Sequence, residues 1–175
     1  MRRSEREVKD RNLIMEMLKI FNKVTIGLND EDGIPYLVPV NFGFSFDENN
    51  LYIYGHCAKQ GKKINLIRSD NRCCLNFSAF SDFPDHKYEN HYHDYRSITA
   101  KGTIELLEFE TNPEEFEKGY NLLYTCNSRD IKPLSERKAV PPIYIMKISC
   151  PFSFVSAKSE FPINSKEDIP LKHPQ

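Results

Sequence analysis

The hydrophobic pattern at the start of the chain predicts a helix. Ser4 is followed three residues later by Glu7, which is the sequence pattern of a capping box. Apolar residues then recur at near-helical spacing: Val8, Ile14, Met15, Leu18 and Phe21. We therefore expect one amphipathic helix from about residue 5 to residue 20, with its apolar stripe packed against the rest of the protein.

After this helix the period of the pattern shortens, which predicts six strands. β-branched and aromatic residues fill these segments: 24–28, 36–46, 51–54, 72–77, 95–107 and 142–148, with 152–155 as an extension of the last. Turn-forming residues separate the first three strands, so we expect an antiparallel meander. Pro39 cannot donate a hydrogen bond within a sheet, which predicts an edge or a bulge at that position.

Two shorter helical segments complete the predicted architecture. One covers 62–68, and the other begins at Pro113 and runs to about residue 124. Antiparallel strands with few helices are typical of a mainly β protein, here a small β-barrel with flanking helices. The end of the chain is rich in proline, serine and charge, which predicts a domain over 1–158 and a C-terminal tail over 159–175.

Composition narrows the class of protein. The 175 residues carry a net charge of −1, so no surface for nucleic acid is indicated. No apolar run is long enough to cross a membrane, and the charged N terminus lacks the apolar core of a secretory signal. Five cysteines without a C-x-x-C pair indicate reduced thiols rather than a disulfide framework. We expect a cytoplasmic protein with neither nucleic-acid nor membrane partners.

The stretch GHCAKQGKK, residues 55–63, carries the candidate chemistry. Two lysines open the predicted helix at 62–68, where backbone N–H groups already present partial positive charge. A phosphate monoester bound at Gly61, Lys62 and Lys63 would account for this placement, although a solvated basic helix start is the alternative. A Walker phosphate loop does not fit, because five residues rather than four separate Gly55 from Gly61. The Rossmann glycine fingerprint does not occur.

Four segments together resemble a known family. They are MRRSERE, GIPYLVPVNFGF, LYIYGHCAKQGKKINLIRSDNRCCLNF and YRSITAKGTIELLE. In order and spacing they are similar to the nitroimidazole-resistance (Nim) proteins, which belong to the pyridoxamine 5'-phosphate oxidase-like flavoproteins. The resemblance runs through most of residues 1–150. It implies an FMN-binding split β-barrel that forms a homodimer and holds FMN between its subunits.

The resemblance also implies which residues bind FMN. The flavin ring would lie against four residues of the second strand: Val38, Pro39, Val40 and Asn41. The end of the third strand would line the ring with three more: His56, Cys57 and Ala58. Lys62 and Lys63 match the basic pair that holds the FMN phosphate, and Ser97 falls where the partner subunit would reach the flavin. His56 stands where a histidine is implicated in reducing the nitro substrate, and an imidazole titrates near neutral pH, which suits proton transfer.

The activity that the resemblance implies is an FMN-dependent oxidoreductase. It would take electrons from a small-molecule donor, such as a reduced nicotinamide, and pass them to an acceptor, for which a nitroimidazole or another nitroaromatic is the candidate. Two other classes stay open: a non-enzymatic flavin-binding protein, and a haem-binding split-barrel protein. The candidate iron ligands of the second are His56, His86, His91 and His93. A deazaflavin in place of FMN is a further alternative.

Two alternatives concern other residues. In the loop 79–94, which departs from the family, His86, His91 and His93 lie near Asp94 and could form a metal site. An exposed polar loop is the simpler interpretation, and we expect no metal. Cys57 as a nucleophile would need a stabilised thiolate, for which the nearby lysine pair is the candidate support.

Overall fold

The computed structural model describes residues 3–82, 93–126, 134 and 137–171. Within these residues there are nine strands: β1 (Glu7–Val8), β2 (Val24–Leu28), β3 (Tyr36–Val40), β4 (Gly43–Phe46), β5 (Asn50–Ala58), β6 (Arg72–Asp82), β7 (His93–Leu107), β8 (Ile143–Pro151) and β9 (Val155–Ser159). The α-helices of the same residues are α1 (Arg11–Leu18), α2 (Lys62–Ser69) and α3 (Pro113–Cys126). The prediction of a mainly β protein with flanking helices is confirmed.

The described residues cluster into two compact units, of which the larger contains 22–75 and 101–154. Its antiparallel strands follow the order β3-β2-β6-β7-β8-β5-β4, an open path with β3 at one end and β4 at the other. Pro39 on β3 pairs with Thr25 on β2. Because β3 is an edge strand in this order, proline leaves no interior hydrogen bond unmade, and the predicted edge position is confirmed.

The core of the larger unit lies where α3 packs on β4, β5 and β8. The buried residues at this contact are Tyr54, Leu107, Phe116, Tyr120, Leu134 and Ile145. Two glycines allow the helix to approach the sheet closely. A β-carbon on Gly43 would lie 2.4 Å from the backbone of Leu122, and one on Gly119 would lie 2.6 Å from the Tyr54 ring. The helix–sheet contact therefore depends on the absence of a side chain at both positions.

The smaller unit contains the described parts of 1–21, 76–100 and 155–175. In it β9 pairs with β1 and with the first half of β7. Arg96 of β7 is buried and forms an ion pair with Asp94, which is also buried. The remaining guanidinium donors bond backbone carbonyls, namely those of Tyr95, Asp168, Ile169 and Pro170. A buried charge is thus paired and hydrogen-bonded, as a stable interior requires.

The same contacts bear on the predicted C-terminal tail. Within the part described, to Leu171, Ile169 is buried and the adjoining carbonyls accept hydrogen bonds from Arg96. Residues 159–171 therefore form part of the packed structure of the smaller unit. The boundary between domain and tail at residue 158 stays a prediction.

The predicted start of the first helix is wrong. The α-helix begins at Arg11, because Asp10 caps it by accepting hydrogen bonds from the N–H groups of Asn12 and Leu13 at 2.8 and 3.1 Å. The segment Ser4–Arg6 forms a 3₁₀ turn instead, and the next two residues form β1.

The predicted meander is also wrong. The segment 36–46 forms two strands, of which β3 pairs with β2 and β4 pairs with β5. Gly43 lies under α3, so β4 belongs beside β5 beneath the helix rather than beside β2. Residues 152–155 do not extend β8, because the 3₁₀ turn Phe152–Phe154 redirects the chain into β9.

Candidate functional site

Two of the segments that the sequence singled out meet at Gly55. A β-carbon placed on Gly55 would lie 3.5 Å from Val40 Cγ2 and 3.6 Å from the carbonyl oxygen of Asn41. Val38 and Val40 are half-buried on β3, whereas Pro39 between them is exposed, as the alternation of a strand requires. The end of β3 therefore lies against the end of β5.

The end of β5 presents His56 and Ala58 to solvent and turns Cys57 inward. In register with β8, His56 lies opposite Ile145 and Cys57 opposite Tyr144. Burial raises the pKa of the Cys57 thiol, and the positive charge of Lys63 only partly opposes this. The raised pKa disfavours a thiolate, so the structure gives no support to Cys57 as a nucleophile.

The loop after β5 leads into the start of α2 at Gly61. The φ angle of Gly61 is +117°, a conformation that side chains disfavour and glycine adopts freely. Its carbonyl accepts the first helical hydrogen bonds, from Ile64 and Asn65 at 3.0 and 3.3 Å. The N-cap residue is Gly61, which has no side chain to accept from the N–H groups of the first turn. Those donors therefore need another acceptor, which a bound anion would provide.

The two lysines of this turn have different surroundings. The ammonium of Lys62 lies 2.6 Å from Asp30 Oδ2 and 5.3 Å from the centre of the Tyr36 ring. The hydrogen bond with Asp30 raises the pKa of Lys62, and the same bond lowers the pKa of Asp30. Lys63 is half-buried and lies near enough to Cys57 to act on its thiol. The charge of Lys62 is thus already matched, an arrangement that adjacency in the sequence did not predict.

Comparison with known proteins places the chain in a family. The family model described as pyridoxamine 5'-phosphate oxidase matches residues 10–149. The chain belongs to this family. The resemblance identified from the sequence is therefore confirmed at family level. No curated protein matches the chain in sequence.

Solved structures share the fold. A structure assigned to a 5-nitroimidazole antibiotic resistance protein of Bacteroides thetaiotaomicron has a TM-score of 0.71 at 23% identity, over 87% of this chain and 86% of that one. An FAD and heme binding protein of Mycobacterium smegmatis has a TM-score of 0.64 at 18% identity, over 94% and 79%. An FAD-binding protein of Mesorhizobium loti has a TM-score of 0.57 at 18% identity, over 88% and 96%. At these identities the likeness establishes the split-barrel fold alone.

The predicted site residues are divided between the two units. Nine of the ten predicted site residues belong to the larger unit: Val38, Pro39, Val40, Asn41, His56, Cys57, Ala58, Lys62 and Lys63. Ser97 belongs to the smaller unit, half-buried opposite Lys158 of β9. Its expected role across a subunit boundary stays a prediction, as do the individual roles of the other nine.

A polar network beside β5 was not predicted from the sequence. Arg68 of α2 donates to the Tyr144 hydroxyl at 3.0 Å, and Lys59 lies 3.5 Å from Glu108 Oε2. A hydrogen bond from Tyr144 and the charge of Lys59 lower the pKa of Glu108. Tyr144 is the cross-strand neighbour of Cys57, so this network braces the end of β5. Only the pairing of β8 with β5 reveals it.

The predicted metal alternative lies partly outside the described residues. His86 and His91 lie outside the described residues, and His93 is exposed at the start of β7. Asp94, the proposed fourth member of a metal site, is instead buried in its ion pair with Arg96. No helix within the described residues is long and apolar enough to cross a membrane.

Proposed function

We propose that this protein is a flavin-dependent oxidoreductase that binds FMN on the face formed by β3, the end of β5 and the start of α2. The observation that carries the proposal is the convergence of these three segments, with Val40 and Asn41 against Gly55 and Lys62 over Tyr36. Membership of the pyridoxamine 5'-phosphate oxidase family supports it. The FAD-binding proteins with the same fold add support for a flavin.

The start of α2 fits a phosphate monoester. A β-carbon on Gly61 would meet nothing within 4 Å among the described residues, so the backbone there is open to a ligand. The N–H groups at the start of α2, which Gly61 cannot cap, carry the partial positive charge of a helix N terminus and attract negative charge. The ammonium of Lys63 adds a charge-assisted donor. These backbone groups, with Lys63, would hold the phosphate.

The neighbouring strands fit a flat ring. Pro39 and Ala58 are apolar and exposed, and they would offer the ring an apolar surface, whereas Val38 and Val40 are half-buried on the opposite side of β3. Asn41, half-buried directly after β3, would supply a polar group beside this surface. Apolar walls with a few placed polar groups are what an isoalloxazine ring requires.

FMN bound at this face would supply hydride and electron transfer. His56 is exposed on the same side of β5 as Ala58, where its imidazole would hold a proton for the reduced acceptor. The likeness to a nitroimidazole-resistance protein makes a nitroaromatic compound the first acceptor to test, with a reduced nicotinamide as donor.

The proposal includes a homodimer. The edge strand β3 exposes Leu37 beside Pro39, an apolar surface that a second subunit would cover. In such a dimer the partner subunit's Ser97 would reach the flavin, as the family resemblance implies. Light scattering of the purified protein should give the mass of two chains. A monomer that still binds FMN would contradict this part of the proposal.

The first test compares FMN with riboflavin, which lacks the phosphate. Lys63→Ala should weaken FMN binding about 10- to 150-fold, because a lost charge-assisted contact costs about 1.5–3 kcal/mol. It should leave riboflavin binding unchanged. Lys59→Ala is the matched control, since it removes the same charge four residues earlier from a side chain that contacts Glu108. Equal FMN affinity in both variants would refute the phosphate assignment.

The second test concerns the chemistry. The absorption spectrum of the purified protein should show two flavin bands, with FMN released on denaturation. A Soret band would favour the haem alternative instead. His56→Ala should retain FMN and slow acceptor reduction, whereas flavin binding without any turnover by the wild-type protein would favour a non-enzymatic flavin carrier.

A further inference from the structure

The contact between Lys62 and Asp30 raises a question about the phosphate site. Lys62 is one of the two lysines beside the uncapped start of α2, yet its ammonium lies 2.6 Å from a carboxylate of the turn between β2 and β3. An anion bound at the same turn of helix would approach that ammonium from another side. Asp30 and the anion would therefore compete for the ammonium of Lys62.

The carboxylate of Asp30 is held firmly in place. Its Oδ1 accepts from the N–H of Glu31 at 2.8 Å, and its own carbonyl accepts from the N–H of Gly33 at 3.1 Å. The side chain of Asp30 is only 12% exposed, whereas that of Lys62 is 56% exposed. Lys62 is therefore the movable member of the pair, and Asp30 the fixed one.

A fixed carboxylate next to a phosphate is unfavourable, because two negative charges then face one ammonium. Asp32 in the same turn adds to the negative field at Lys62. The exposed ammonium has the freedom to leave Asp30, whereas the carboxylate is tied to its turn. Binding of a phosphate would thus exchange one anionic partner of Lys62 for another.

We infer that Asp30 competes with the ligand phosphate for Lys62, and so lowers the affinity of the site for phosphorylated flavins relative to unphosphorylated ones. The inference rests on the proposed function, since it takes FMN as the ligand. It gives Asp30 the role of a residue that sets cofactor affinity without contacting the cofactor. Lys63, which lacks such a carboxylate partner in the described structure, remains the principal phosphate contact.

The test measures FMN and riboflavin affinity in Asp30→Asn by fluorescence quenching at physiological salt. Because exposed ion pairs are weak, FMN binding should tighten about two- to fivefold and riboflavin binding should not change. Asparagine keeps an acceptor for the Glu31 N–H, so the turn is preserved. Glu31→Gln is the matched control, because it removes the same charge from an exposed neighbouring side chain and should change neither affinity.

A double-mutant cycle isolates the contact. In a Lys62→Met background, Asp30→Asn should no longer tighten FMN binding, since the contested ammonium is gone. Unchanged or weakened FMN binding in Asp30→Asn alone would overturn the inference, and weakening would make Asp30 a support that positions Lys62. Failure of every protein to bind either flavin would overturn the proposed function as well, an outcome distinct from FMN binding that ignores Asp30.

Discussion

The two units each contain a prominent ion pair, and the pairs differ in almost every physical respect. In the smaller unit the side chains of Arg96 and Asp94 are 1% and 0% exposed, and the guanidinium also bonds four backbone carbonyls. In the larger unit the side chains of Lys62 and Asp30 are 56% and 12% exposed. The first pair has no room to exchange partners, whereas the second has solvent on one side.

This difference separates a structural role from a ligand-binding role. Removing one member of a buried pair leaves an uncompensated charge in the interior and is strongly destabilising. Exposed pairs contribute little to stability, and their members are free to take other partners. A cation at a binding site should therefore resemble Lys62 rather than Arg96.

The largest expected effect follows from removing Arg96. Arg96→Met should lower the free energy of unfolding by about 3–5 kcal/mol, because Asp94 loses its counter-charge and the carbonyls of residues 168–170 lose their donors. Urea denaturation followed by circular dichroism measures the loss. Lys101→Met on the same strand is the control, since its exposed side chain should change stability by less than about 0.5 kcal/mol.

A second substitution sharpens the interpretation. When Asp94→Leu is combined with Arg96→Met, part of the lost stability should return, because a buried pair is replaced by apolar side chains. If Arg96→Met costs less than about 1 kcal/mol, the contrast between the two ion pairs fails.

An effect of intermediate size is expected at Glu115, a partly buried residue of the larger unit. Glu115 accepts a hydrogen bond from the Tyr54 hydroxyl at 2.8 Å and lies 3.0 Å from Lys147. Glu115→Ala should cost about 1–3 kcal/mol, because it leaves the hydroxyl of Tyr54 without this acceptor. Glu114→Ala, which removes an exposed carboxylate from the same helical turn, is the matched control. A loss no larger than that of the control would show that Tyr54 finds another acceptor.

The dependence of the free energy of unfolding on pH, measured below neutral pH, tests the same contact. Burial raises the pKa of Glu115, but hydrogen bonds from Lys147 and Tyr54 outweigh it, so the pKa lies below the usual 4.5. A lowered folded-state pKa means that the contribution is complete above about pH 4.5 and is lost as the pH falls through the folded-state value. Glu115→Gln should therefore flatten the fall in stability below that pH. A fall as steep as that of the wild-type protein would contradict the assignment.

Local patterns predicted most of the strands and helices, because alternation and helical spacing can be read from consecutive residues. The helix at Lys62 was predicted within a residue of its bounds, whereas β5 continues four residues past its predicted end, to Ala58. The resemblance added the relation of both segments to β3. Long-range choices were not predictable in this way. Asp10 and Ser4 both fit a cap, and only tertiary packing selects Asp10. Pairing of β4 with β5 depends on Gly43 fitting under α3.

The contacts that distinguish the two ion pairs could not be predicted from the sequence either. Asp30 precedes Lys62 by more than thirty residues in a turn cluster with several acidic residues, and nothing local selects it as the partner. Arg96 appears in the sequence as an ordinary polar residue of a strand, yet its donors reach carbonyls more than seventy residues away. Burial and pairing of such charges are decided by the fold, not by the period of the pattern.

The smallest expected effect is that of Asp30→Asn on stability. The carboxylate has a pKa below the usual 3.8, because Lys62 donates to it, so its contribution is complete above about pH 3.8 and constant between pH 5 and 8. The Lys62 side chain is exposed and salt screens its contact with Asp30, so the urea midpoint at pH 7 should match that of the wild-type protein within error. The same variant should still tighten FMN binding. A clear loss of stability would mean that Asp30 anchors the turn to α2 as Arg96 anchors the C-terminal segment, and the two ion pairs would then differ in degree rather than in role.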